Sequence, residues 1–169
     1  MNDIKSNNDV TAAIQQVIKQ TEANWNTQDF STVLDLWDRD EPEPYYLAEE
    51  RDEWLIGWDQ LNGYLNPPVR NPAVEALRLD ISNIRVKQIA PDLAFAVWDL
   101  HFEMKIRGRP PLGEDIRVTG IFRKKPEGWR YIHYAEAPMA SMVYIQKLFE
   151  RDVRPEFDDI YQKALKKRT

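Results

Sequence analysis

The chain has 169 residues and a formal charge of −5, with 43% hydrophobic and 30% charged residues and no cysteine. That length predicts one domain with a core of its own, and the missing thiol excludes disulfides, a cysteine nucleophile and sulfur-ligated zinc. Net negative charge argues against a nucleic-acid partner, and the lack of a long apolar run argues against a membrane span or a signal-peptide core, which points to a soluble, cytoplasmic protein.

Charge is spread unevenly. Nine acids lie between Asp35 and Glu53 against only Arg39 and Arg51, so this stretch carries −7 and the remainder +2. It reads either as a solvated acidic loop or as a patch for a cation or a partner. Six Trp, seven Tyr and six Phe supply either a thick core or the walls of a ligand cavity.

In chain order, residues 1–8 are polar and are expected to form a flexible N-terminus. Val10, Ile14, Val17, Ile18, Thr21 and Trp25 then recur at helical spacing behind Asn8 or Asp9 as a cap. Asp29 is placed to cap a second, shorter helix with Phe30, Val33, Leu34 and Trp37 on one stripe. Pro42 and Pro44 interrupt the acidic stretch, and Tyr45–Ala48 and Trp54–Ile56 read as short strands. A short helix from Trp58 to Leu65 is stopped by Pro67-Pro68. From Leu77 the period becomes two, predicting strands over 77–90, 92–106, 114–125 and 128–137 in an antiparallel meander. After Pro138 helical spacing returns, broken at Pro155, so 139–169 is expected to be a helical extension of the domain formed by 9–138. Helices, then strands, then a helical tail define an α+β domain with helices on one sheet face.

Alternation divides each strand into two sets. Ala96, Trp98, Leu100, Phe102 and Met104 form one apolar set, and Ile116, Val118, Gly120 and Phe122 another, both expected beneath the helices. The last strand is ambiguous, and Ile132, Tyr134 and Glu136 are assigned to the covered face. A glutamate ending an aromatic-lined face is a candidate general acid or base, because desolvation raises its pKa; the alternative is a wet strand end. On the opposite face Asp99, His101, Glu103, Arg117 and His133 are placed to make cross-strand charged pairs. A metal held by His101 and Glu103 is the less favoured reading, since an open sheet face seldom closes a coordination shell. No phosphate loop, nucleophile elbow or His-Glu-x-x-His motif is present.

Three stretches carry a family likeness: Trp54-Leu55-Ile56-Gly57-Trp58 with the following helix to Tyr64-Leu65, Asp92 to Trp98, and Arg117-Val118-Thr119-Gly120-Ile121-Phe122-Arg123-Lys124 leading to Gly128-Trp129-Arg130-Tyr131-Ile132-His133-Tyr134. In this order they resemble the SnoaL-like branch of the nuclear-transport-factor-2-like superfamily, which includes ketosteroid isomerase and scytalone dehydratase, over about residues 9–138. The resemblance implies an α-β-barrel cone: a strongly curved antiparallel sheet wrapped around the N-terminal helix, an apolar pocket between them, and a homodimer through the sheet. It places Trp25, Trp58, Trp98, Leu100, Phe102, Val118, Phe122 and Ile132 around the pocket, with Glu136, Tyr134 and Tyr46 as the catalytic candidates. It does not carry over the isomerase mechanism, because the first-strand aspartate position falls at Leu47 or Ala48 and the helix tyrosine near Thr21. Nor does it carry over the dehydratase histidines, since His101 and His133 alternate outward.

The sequence thus supports a pocket for a small apolar or aromatic molecule, without metal or cofactor. Its chemistry is expected to be proton transfer of the isomerase, cyclase or dehydratase type on an aromatic or polycyclic substrate. A noncatalytic dimerisation or ligand-binding module is the alternative, and recruitment through the acidic loop or basic tail a weaker third.

Overall fold

A computed structural model describes residues 2–28, 30–67, 73–138 and 166, with residues 2–8 described by their backbone. The chain divides into two units, residues 1–139 and 140–169, and the fold below is that of the first. The expected helical extension at 139–169, apart from the single residue 166, and the expected Asp29 cap lie outside the described residues.

Helix α1 spans Asn2–Asn26, so it begins upstream of the expected Asn8 or Asp9 cap. Its apolar stripe buries Ile14 and Ile18 completely, with Val10, Ala13, Val17 and Trp25 packed around them. The second helix is a 3₁₀ helix, Phe30–Leu36, rather than the α-helix expected. It still buries Val33 and Leu34, and Trp37 behind it bridges to Tyr131. Strands β1 (Tyr45–Leu47) and β2 (Leu55–Ile56) follow. Gly57, at φ +80°, turns β2 directly into α2 (Gly57–Leu65), a backbone state that a side chain would strain. The four long strands run close to the expected limits: β3 (Val74–Ala90), β4 (Leu93–Ile106), β5 (Leu112–Lys125) and β6 (Gly128–Pro138).

The sheet has the order β2-β1-β6-β5-β4-β3. The meander β3 to β6 is antiparallel as expected, but β1 pairs with β6 in parallel, so the sheet is mixed. It is also open, with β2 and β3 as edges, rather than closed as a barrel. Alternation tells which face a residue takes and is silent on which strand it meets and in which direction.

The β3 edge is not left bare. Backbone groups of alternate residues there are matched by side chains of α1 and the turn after it. The Ile81 N–H donates to Glu22 Oε2 at 2.6 Å and the Ile81 carbonyl accepts from Lys19 Nζ at 2.6 Å. Asn26 makes the same reciprocal pair with Leu79, at 2.7 and 2.9 Å, and Gln28 with Leu77, at 3.0 and 2.5 Å. The helix thereby replaces a neighbouring strand and satisfies groups that would otherwise invite one.

The inward sets of β4 and β5 are those expected: Ala96, Trp98 and Leu100 with Ile116, Val118 and Phe122 are all buried. Gly120 is the small member because a Cβ there would sit 3.0 Å from the Trp98 ring. The ambiguous β6 is explained by a bulge. Ile121 pairs with His133 and Phe122 with Tyr131, leaving Ile132 as an extra residue. Trp129 and Tyr131 therefore face the core on one side of the bulge, while Tyr134 and Glu136 face inward on the other. The expected inward Ile132 is corrected: it is the bulged residue.

Two buried polar groups of the core, Tyr131 and Asp38, are answered. The Tyr131 hydroxyl lies 3.1 Å from Thr21 Oγ1, which itself donates to the Val17 carbonyl, so Tyr131 is the donor. Asp38 is 2% exposed and is held by Arg123 Nη1 at 3.0 Å and Lys125 Nζ at 3.1 Å. Burial alone would raise this carboxyl, yet the lysine, a backbone amide and the arginine together hold it below its ordinary value.

Candidate functional site

Tyr46 of β1 lies directly across from Tyr134 of β6 in the parallel pair. Their rings stack with centroids 4.9 Å apart and planes 5° from parallel, a contact that adds to the burial of both. Continuing that register carries the chain leaving β1 past the end of β6. There the Glu49 N–H donates to Glu136 Oε2 at 3.1 Å, while the Tyr134 hydroxyl donates to Glu136 Oε1 at 2.8 Å. Each carboxylate oxygen thus has one donor, and a fixed carboxyl faces the space between sheet and helix.

That space is a cavity of about 90 Å³. Its apolar walls are Trp25 of α1, Leu77 and Leu79 of β3, Leu100, Phe102 and Met104 of β4 and Ile116 of β5; its polar walls are Tyr46, Tyr64, Tyr134, Glu49, Glu50 and Glu136. A deeper space of about 10 Å³ continues past Trp25, Tyr46 and Tyr134 to Thr21 and Tyr131, room for about one water. At about 90 Å³ the main cavity is smaller than the roughly 300–1,000 Å³ of ordinary small-molecule sites, which disfavours the polycyclic body expected and leaves room for at most a single ring.

Electrostatics single out the carboxyls. Burial pushes Glu136 from 4.5 up to about 7, against the pull of the Tyr134 hydroxyl and the Glu49 amide. Burial, with Glu114 and Glu50 nearby, lifts Glu49 to about 7 as well. Glu50 accepts a short hydrogen bond from Tyr64, whose ring lies 5.4 Å from that of Tyr46. Burial and Glu136 raise Tyr46 and Tyr134 well above 10, and burial and Glu50 raise Tyr64, so all three phenols stay protonated at neutral pH. A carboxyl that titrates near neutrality beside protonated phenols can accept or deliver a proton.

A family model described as the SnoaL-like domain matches residues 14–141, which holds every element named above from the body of α1 to β6. The chain belongs to the SnoaL-like family. No curated protein matches it. Among solved structures, a protein from Novosphingobium aromaticivorans ascribed to the scytalone dehydratases aligns over 91% of this SnoaL-like chain and 94% of its own, at 13% identity and a TM-score of 0.70. A nuclear transport factor 2-like superfamily protein from Salmonella enterica serovar Typhimurium aligns over 80% and 95%, at 18% identity and 0.67. The hexachlorocyclohexane dehydrochlorinase LinA-type3 from Novosphingobium barchaimii aligns over 76% and 86%, at 13% identity and 0.62. At these identities the likeness concerns the fold.

Within this SnoaL-like domain the cavity gathers Trp25, Tyr46, Leu100, Phe102, Tyr134 and Glu136 from the expected site. Trp98 is buried behind Tyr134, centroids 5.8 Å apart, with its indole N–H lacking a hydrogen-bond partner among the described residues. Val118 and Phe122 are core residues beyond the cavity, Phe122 packing on Tyr131 at 4.4 Å. Trp58 donates to the Glu41 carbonyl at 2.7 Å and carries the Arg39 guanidinium 4.7 Å over its ring, away from the cavity because α2 turns it toward the acidic loop. Ile132 is set aside by the bulge.

On the outer face the charged residues do pair, though not as one cluster. His101 Nδ1 lies 2.7 Å from Asp115, Arg78 bonds Glu103 at 3.1 Å and Asn83 bonds Asp99 at 2.7 Å. His133 sits beside Trp54 instead, at 5.6 Å, and no group of metal-ligating side chains forms among the described residues. Glu49, Glu50 and Tyr64 are site residues that sequence reasoning missed. The available signal was two acids placed directly after an inward-facing aromatic strand.

Proposed function

We propose that the cavity is a ligand site in which Glu136 transfers a proton to or from a small apolar or aromatic molecule, in a reaction of isomerase or dehydratase type. The observation that carries this reading is a buried carboxyl, fixed through both oxygens and titrating near neutrality, at the wall of an aromatic cavity. Tyr134 is the positioning partner, since its hydroxyl is committed to Glu136. Tyr46 completes the wall and is the second phenol beside the carboxyl. Family membership sets the fold, and the chemistry rests on these groups.

The test is a screen of single-ring compounds by tryptophan fluorescence and thermal shift on the wild type and Glu136→Gln, followed by turnover assays on each hit. Saturable binding with turnover lost in Glu136→Gln supports the reading. Hits that bind both proteins alike and turn over in neither refute it.

The second reading, a dimerisation module, has its own observation. Ile56, Tyr45, His133, Ile121 and Phe95 are paired in one row across five strands of the outer face, with Trp54 exposed beside them. Such a row suits a homodimer through the sheet. Light scattering at micromolar concentration is expected to give twice the chain mass, and a monomer there refutes it.

A further inference from the structure

From the same cavity, and resting on the reading above, we infer that its ligand is a small organic cation: an ammonium group on an apolar or aromatic body. Three carboxyl groups, Glu49, Glu50 and Glu136, line the space, and among the described residues no lysine, arginine or histidine does. Elsewhere the chain treats a buried carboxylate differently. Asp38 is given both Arg123 and Lys125 within about 3 Å, whereas at the cavity the donors are neutral: a phenol on each of Glu136 and Glu50, and a backbone amide on Glu136. Arg51 is exposed and is the least of the influences acting on Tyr64.

Acceptor capacity also remains unused. The Glu49 side chain interacts with another carboxyl, Glu114, which brings no positive charge, while Glu49 Oε2 is buried with no hydrogen-bond partner among the described residues, and an ionised carboxylate accepts about four hydrogen bonds in all. An ammonium brings three donors and one positive charge, which answers both deficits. The remaining walls suit the same guest. The rings of Trp25, Tyr46, Tyr64 and Tyr134 line the same space, and an aromatic face attracts a cation through its quadrupole, most strongly where water is excluded. An anionic ligand would meet carboxylates of its own sign in this space, and a neutral one, even one whose hydroxyl donates to an oxygen, would leave their charge unbalanced.

The test is calorimetric titration of the full chain at pH 8 with three compounds of similar shape: 2-phenylethylamine, 2-phenylethanol and phenylacetate. The amine is expected to bind about tenfold or more tighter than the alcohol, with phenylacetate weakest. Glu49→Gln is expected to lower amine affinity about tenfold while leaving the alcohol unchanged. Glu50→Gln, at an exposed position, serves as the second variant if Glu49→Gln melts early. Alcohol or phenylacetate binding as tightly as the amine overturns the cation assignment and leaves the cavity reading in place. Binding of none of the three overturns both.

Discussion

Glu136→Gln removes one ionisable group from the cavity and keeps the shape of its side chain. In the folded chain the Glu136 carboxyl is lifted by burial from 4.5 to about 7, so between those pH values the folded state keeps a proton that the unfolded chain releases. Stability from this group is therefore greatest below about pH 4.5, declines as pH rises and levels off above about 7. At about 1.4 kcal/mol per pH unit, the ionised carboxylate costs the fold about 3 kcal/mol at pH 8. Gln stays neutral, so the variant is expected to be more stable than wild type by about 2–3 kcal/mol at pH 8 and equal to it near pH 4.5. Urea denaturation of both proteins across pH 4.5–8.5 reads the difference directly. Asp38 and the other acids are common to the two proteins and drop out of the comparison. Glu49, raised in the same direction but only half-buried, adds a smaller slope of the same sign to both. A constant offset between the two curves, or a wild type gaining on the variant as pH rises, would refute the assignment of a desolvated carboxyl at Glu136.

Three further outcomes follow from the packing. Gly120→Ala brings a Cβ to 3.0 Å from the Trp98 ring and 3.1 Å from Phe122; it is expected to cost about 1–3 kcal/mol in urea denaturation and to shift Trp98 emission. Asp38→Asn takes the buried anion from Arg123 and Lys125, which keep Glu41 and Asp40 as partners, and is expected to cost about 1–2 kcal/mol at pH 7. Because the folded value of Asp38 is depressed below 3.8, that loss should shrink steadily as pH falls below 3.8, so midpoints that differ at pH 7 and converge in acid are the signature. Tyr131→Phe deletes the hydroxyl that donates to Thr21 and is expected to cost about 1 kcal/mol by thermal unfolding, with no change in the pH dependence traced to Glu136.

Local regularity made the four long strands and α1 readable, because buried faces repeat at fixed spacing. Trp98, Leu100, Val118 and Phe122 needed only alternation to be placed inside. Pairing was not readable in that way. Nothing in Tyr45-Tyr46-Leu47 reveals that it lies parallel to β6, since that contact joins segments nearly ninety residues apart. The cavity inherits the same difficulty. Glu49 meets Glu136 only through this pairing, and within the sequence Glu49 and Glu50 look like members of a solvated acidic run. Glu136 and Tyr134 were legible as a pair two apart on one face, and Trp25 as the last residue of the helix stripe. Ile132 was misplaced because a single uninterrupted alternation cannot describe a bulged strand. Trp58 sits at helical spacing in α2, which gave no hint that it would cap the acidic loop at Glu41.

The bulge at Ile132 makes β6 two half-strands of opposite phase spliced at one position. Counting from the turn, odd-numbered residues face inward before it and even-numbered residues after it. Were the strand straightened without loss of a residue, His133 and Ala135 would take the inward places and the carboxyl would be turned out to solvent. Deleting Ile132 instead restores a single phase in which Tyr131, Tyr134 and Glu136 all still point inward. The inserted residue therefore sets the frame in which the site is read, and the half nearer the turn can vary to suit packing while the other half varies to suit chemistry. One extra residue in a strand of eleven separates these two roles without a break in the sheet.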